Sequence, residues 1–122
     1  MFNAESSVDR LLEAYPKQMI DDLAAGKSPN EVAGGGITNL TGGRAFEGVL
    51  HDLSTEEEAE VIRELAIRFP EAFRKWQDEF YKDLANQSVA ERRGTSCNLR
   101  PSNRALFEGH AELEALIPEF FD

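Results

Sequence analysis

Cysteine is almost missing from this chain. Cys97 stands alone, which excludes an intramolecular disulfide, leaves no second thiol for a zinc site, and suits a reducing compartment. Histidine is nearly as scarce: His51 and His110 are the only two. No His-x-x-x-His, Glu-x-x-His or Cys-x-x-Cys spacing occurs, so the convergent ligand sets that metal catalysis needs are not indicated, and no metal or cofactor is expected. Cations are outnumbered, with Lys+Arg 13 against Asp+Glu 23 and a net charge of -10. Nucleic acid and anionic membranes both select for positive surface, so bulk-charge binding to either is disfavoured. No apolar run reaches the roughly 18 residues that cross a bilayer. The first residues lack a basic segment followed by an apolar one, so no signal peptide is expected and a cytoplasmic location is.

What is present is a helical pattern. A length of 122 residues favours one domain, 1–122, able to hide roughly two thirds of its unfolded surface without staples. Its 41% hydrophobic and 30% charged residues place it with soluble globular chains and not with disordered ones. The clearest stretch runs from Ser54 to Leu84. Ser54-Thr55-Glu56-Glu57 is a capping box, and three glutamates in the first turn suit the positive end of a helix dipole. Val61, Ile62, Leu65, Ala66 and Phe69 form one apolar stripe, and after Pro70 the stripe resumes as Phe73, Trp76, Phe80, Tyr81 and Leu84.

Upstream, Val8, Leu11, Leu12, Tyr15, Met19 and Leu23 recur at helical spacing behind Ser6 or Ser7 as the cap. Pro16 implies either a kink or two successive helices, and Gly26 is a C-terminal cap. Residues 26 to 48 hold seven of the nine glycines. The core of that stretch, 34–43, is expected to be a glycine-rich loop, with a short helix over 44–52. Residues 86–101 read as a polar connection. A last helix starts at Ser102 or Asn103, carries Leu106, His110, Leu113 and Ile117 on one stripe, and stops at Pro118. His110 is expected there as a hydrogen-bonded, buried or half-buried imidazole.

Motifs of catalysis are weak. Gly26-Lys27-Ser28 resembles the end of a phosphate-binding loop, but Asp21 stands where its first glycine is needed and the lead-in is helical. Ile20 to Ala33 resembles the first helix and turn of a helix-turn-helix, yet a glycine-rich segment follows where a recognition helix should lie. Glu31-Val32-Ala33-Gly34-Gly35 resembles a peptide-leader end, but most of the chain follows it. No nucleophile elbow is present.

The fold is therefore read as all-α: a small single-domain bundle of four to five helices with a glycine-rich loop. The function read from these residues is a non-enzymatic acidic protein-interaction module, an adaptor, inhibitor or assembly subunit. It would meet a protein partner with a basic surface through Glu56, Glu57, Glu60, Glu64, Glu71 and Asp78 on the helix faces and through the aromatic tail, Phe120 and Phe121. A viral-type mimic of nucleic acid is one form of that reading. The second reading is a small-molecule-binding module or small enzyme whose glycine-rich loop closes over Arg44, His51, Trp76 and His110. The third is nucleic-acid binding through Arg92, Arg93, Arg100 and Arg104. Those four make residues 86–105 +3 against -13 for the remainder, an anion-binding candidate because arginine grips carboxylate and phosphate bidentately.

Overall fold

The computed structural model describes residues 1–29, 31–32, 50, 52–99 and 101–121, the side chain of Glu119 apart. These residues form helices and turns, with no strand among them. Seven α-helices are present among the described residues: α1 Ala4–Ala14, α2 Lys17–Ala24, α3 Thr55–Arg68, α4 Pro70–Ala85, α5 Val89–Asn98, α6 Arg104–Phe107 and α7 Ala111–Leu116. One 3-10 turn, Pro101–Asn103, joins α5 to α6, and another, Pro118–Phe120, follows α7. The small all-α fold stands, with more and shorter helices than the four to five expected. The glycine-rich segment 34–43 and most of the helix expected over 44–52 lie outside the described residues.

Each boundary has a local cause. The cap of α1 is Asn3, whose Oδ1 accepts from Ser6 N at 2.9 Å, so the helix starts ahead of the serines expected to cap it. Pro16 divides α1 from α2. The residue before a proline is driven out of the helical region, and Tyr15 is extended, with φ -78° and ψ 145°. Gly26, at φ +90°, closes α2. Its N–H donates to Leu23 O and Lys27 N–H donates to Asp22 O, the paired bonds of a Schellman cap that needs a left-handed residue. Ser54 and Glu57 exchange the two hydrogen bonds of a capping box at the start of α3. Phe69, outside helical geometry at φ -129° and ψ 61°, turns the chain, and Pro70 opens α4 at a position where a missing N–H costs nothing.

Two expectations are corrected. The segment read as a polar connection contains α5, ten residues long. Its start repeats the device of α3: Ser88 Oγ accepts from Glu91 N at 3.2 Å and Glu91 Oε1 accepts from Ser88 N at 3.0 Å. The single last helix is in fact two. Gly109 takes φ +85°, and Glu108 before it is extended, which ends α6 and lets α7 start afresh behind His110.

α3 is the central element, packed by α1 on one side and by α6 and the first 3-10 turn on another, with α4 continuing from its end. Val61, Ile62 and Leu65 meet Val8 and Leu11 of α1, Leu23 of α2, and Leu106 and Phe107 of α6 in one buried cluster. Phe107, fully buried, is the hub of an aromatic assembly. Trp76 and Phe80 stack on each other at 5.2 Å and both lean on Phe107, at 5.2 and 5.0 Å. Burying a ring of this size contributes roughly 2–3 kcal/mol before ordering entropy.

Candidate functional site

The packing of α1 and α6 on α3 decides which of its glutamates face outward. Glu57 is turned back to the cap. Glu56 and Glu60, one turn apart, are exposed, and neither has an intrachain hydrogen bond or ion pair among the described residues. Arg63 and Ile67 extend the same face at i+7 and i+11 from Glu56. Ile67 is 71% exposed, one of the few large apolar residues left in solvent among those described.

Arg63 is anchored across the fold. Its Nε and Nη2 donate to the two carboxylate oxygens of Glu108, at 2.9 and 2.8 Å. These bonds hold the Glu108 carboxyl below its usual range, against the opposing effect of partial burial. The same hydrogen bonding keeps Arg63 firmly charged, and Glu56 and Glu60 add Coulombic support. Between α3, the first 3-10 turn and α6 lies a small cleft of about 190 Å³, lined by Glu56, Arg63, Arg104 and Glu108 together with Ala59 and Pro101. Two carboxylates and two guanidiniums balance within this seam, and Glu60 adds a further carboxylate near Arg63.

The other acidic candidates are spent inside the molecule or lie elsewhere. Glu64 pairs with Arg68 at 3.0 Å, and Arg68 also binds Asp9 of α1 at 2.7 Å. Asp78 faces His110, Oδ1 to Nε2 at 3.3 Å. Glu71 is exposed on α4, with its carboxylate beside Gly26. The six carboxylates read from the sequence therefore do not form one face; Glu56 and Glu60 do, and Glu108, just after α6, lines the cleft with Glu56.

Phe120 and Phe121 are half-buried and fold back onto Phe107, edge-on at 5.6 and 6.5 Å. Of the arginines, Arg92 donates to the carbonyls of Gln87 at 2.8 Å and Leu84 at 3.4 Å, closing the end of α4. Arg104 donates to Phe121 O at 3.3 Å. Arg93 is exposed, and Arg100 lies outside the described residues, as do Arg44 and His51.

His110 is half-buried and caps α7. Its Nδ1 accepts from Leu113 N at 3.1 Å. That leaves the proton of the neutral ring on Nε2, which donates to Asp78. Tyr81 stacks against the ring at 5.7 Å. Every polar atom of the imidazole thus has a structural task. Among the described residues no three of His, Cys, Asp and Glu converge on a point where a metal ion could sit, and no helix is long and apolar enough to cross a membrane.

No family model, no curated protein and no solved structure matches the chain.

Glu108 is the residue that sequence reading missed at this seam. Its spacing from Glu56 along the chain carries no signal, because the two meet only through the packing of α6 on α3. The Ser88-x-x-Glu91 box was readable, being the same pattern as Ser54-x-x-Glu57.

Proposed function

We propose that this chain is a non-enzymatic protein-interaction module that offers the outer face of α3 to a basic surface on a protein partner, as an adaptor, inhibitor or assembly subunit in the cytoplasm. The observation that carries the reading is the division of labour among the charges of α3. Arg63 and Arg68 are committed to carboxylates within the fold, while Glu56 and Glu60 stay exposed and unpaired among the described residues, on the face that ends at Ile67. An apolar anchor with charge around it is the common anatomy of a binding surface, and complementary charge steers the encounter and selects the partner.

The test is affinity capture from the native host with the wild-type chain and with the double variant Glu56→Gln/Glu60→Gln, at about 0.1 M and about 0.5 M salt. The expected result is a partner retained by the wild type at low salt, lost at high salt, and not retained by the variant. Capture that is indifferent to both salt and the substitutions overturns the proposal. If duplex DNA or RNA displaces the captured partner, the acidic face is acting as a nucleic-acid mimic.

A further inference from the structure

α5 is a helix without a hydrophobic reason to exist. Ser96 is its buried residue, and it packs chiefly on the C-terminal 3-10 turn. A helix polar nearly all round is held by local bonds: here by the Ser88–Glu91 capping box, by Arg92 on the carbonyls of Gln87 and Leu84, and by Thr95 Oγ1 donating to Gln87 Oε1 and Glu91 O, each at 3.2 Å. Its outward side carries Ala90, Arg93, Gly94 and Cys97, all exposed. A side chain at Gly94 would meet nothing within 4 Å. Val89, 56% exposed, is the other described apolar side chain besides Ile67 and Met1 left conspicuously in water.

Val89 and Arg93 also line a groove between α5 and the end of α7. Its volume is about 220 Å³, and it is walled by Val89, Arg92 and Arg93 from α5 and by Ala115, Leu116 and Pro118 opposite. Four of these six residues are apolar, and the two charged ones are both arginines, so the lining mixes apolar and cationic surface. Arg92 is pinned by two carbonyls, whereas Arg93 has no hydrogen-bond or ion-pair partner among the described residues. In a chain of net charge -10 the charged residues that line this groove are both cationic.

We propose that the α5–α7 groove is a second docking surface, separate from the α3 face, and that its occupant is an acidic amphipathic segment of a protein partner. One apolar side chain of that segment fills the space against Val89, Leu116 and Pro118, and a carboxylate about one turn away pairs with Arg93. Charge complementarity selects this occupant: the two lining arginines attract carboxylates, and the acidic remainder of the molecule repels a second copy of itself. The small residues around Arg93 permit a close backbone approach and lose little side-chain entropy on contact. The inference does not depend on the α3 proposal, and the two surfaces prefer partners of opposite charge.

The experiment is an amide chemical-shift titration of the intact, isotope-labelled protein with a synthetic helical peptide of alternating Glu-Glu and Leu-Leu pairs. A Lys/Leu peptide of the same pattern, sodium acetate, phosphatidylglycerol vesicles and the protein alone over a hundredfold concentration range are run beside it. The expected result is saturable shifts confined to residues 89–97 and 113–118 with the Glu/Leu peptide, weakened at least tenfold by Arg93→Glu and by Val89→Asp and unchanged by Arg74→Glu on α4. The unliganded amide spectrum of each variant reports whether it is folded. Absence of saturable shifts, shifts elsewhere, or equal binding by Arg93→Glu overturns the proposal. So does a response at these residues to the Lys/Leu peptide, to vesicles or to protein concentration alone, which would assign the groove to a basic segment, a membrane or a second copy.

Discussion

Arg63 and Glu108, 45 residues apart in the chain, meet fork to fork and tie α3 to the segment that follows α6. Gln77 of α4 reaches the same segment, its Nε2 donating to the carbonyls of Leu106 and Glu108. The turn at Gly109 is thus held from two helices, which is why a four-residue α6 persists at all. Glu108→Gln should destabilise the fold by about 0.5–1 kcal/mol at pH 7, the upper range for a half-exposed ion pair. Because Arg63 lowers the Glu108 pKa in the folded state, the pair's contribution is present above the usual carboxylate value and is lost as pH falls through the lowered one. Urea titrations at pH 7 and at pH 3 should show the gap between wild type and variant closing in acid. A gap that persists unchanged removes the ion pair as its cause.

Phe107→Ala should cost about 3–5 kcal/mol. The ring is fully buried and touches Trp76, Phe80, Phe120 and Phe121, so its loss leaves a cavity that the flanking rings cannot all fill. Thermal unfolding measures the cost. Faster amide exchange over residues 117–121 should accompany it, since both terminal phenylalanines lean on this ring.

Ser88→Ala should cost about 1 kcal/mol of local stability by removing the acceptor for Glu91 N. α5 has little core contact, so the loss should appear as faster amide exchange across residues 89–98, with a much smaller change in the global unfolding midpoint. An equal fall in both would mean that α5 unfolds only with the whole domain.

Tyr15, at the end of α1, has its phenol pushed up from 10.0 to about 12 by burial. The raised value means that stability is intact below pH 10 and falls as pH climbs toward 12, because the unfolded chain ionises the phenol first. A loss of about 1–2 kcal/mol across that interval is expected for a half-buried group. Tyr15→Phe should flatten this slope in alkaline unfolding experiments. An unchanged slope would assign it to other groups.

His110→Ala should weaken α7 by about 1 kcal/mol, whereas His110→Asp should restore most of it, since an aspartate can accept from Leu113 N in the same position. Amide exchange over residues 111–116 distinguishes the two.

The boundary between what could be read and what could not runs along sequence distance. The capping box at Ser54, the apolar stripes of α1 to α4, the break at Phe69-Pro70 and the Gly26 cap were legible because each depends on residues within a turn of one another. α5 could have been read from Ser88-x-x-Glu91, but its lack of an apolar stripe removed the stronger signal. Gly109 was harder: Leu106, Leu113 and Ile117 keep helical spacing straight through it, and only the left-handed turn, held by Arg63 and Gln77 from other helices, interrupts them.

Helical composition, acidic balance and the aromatic interior were written into the order of residues, since steric preference, capping and apolar periodicity act over three or four positions. Beyond Glu57 and Glu64, which are engaged within α3 itself, three-dimensional packing chose which carboxylates remain free. Arg68 finds Glu64 one turn away on its own helix, but it was the docking of α1 and α6 on α3 that gave Arg68 its second partner, Asp9, and Arg63 its partner, Glu108, and left Glu56 and Glu60 in water. The same packing turned Phe120 and Phe121 inward and kept Arg93 outside, because ion pairs and ring contacts between distant segments exist only once the backbone has brought them within a few ångströms.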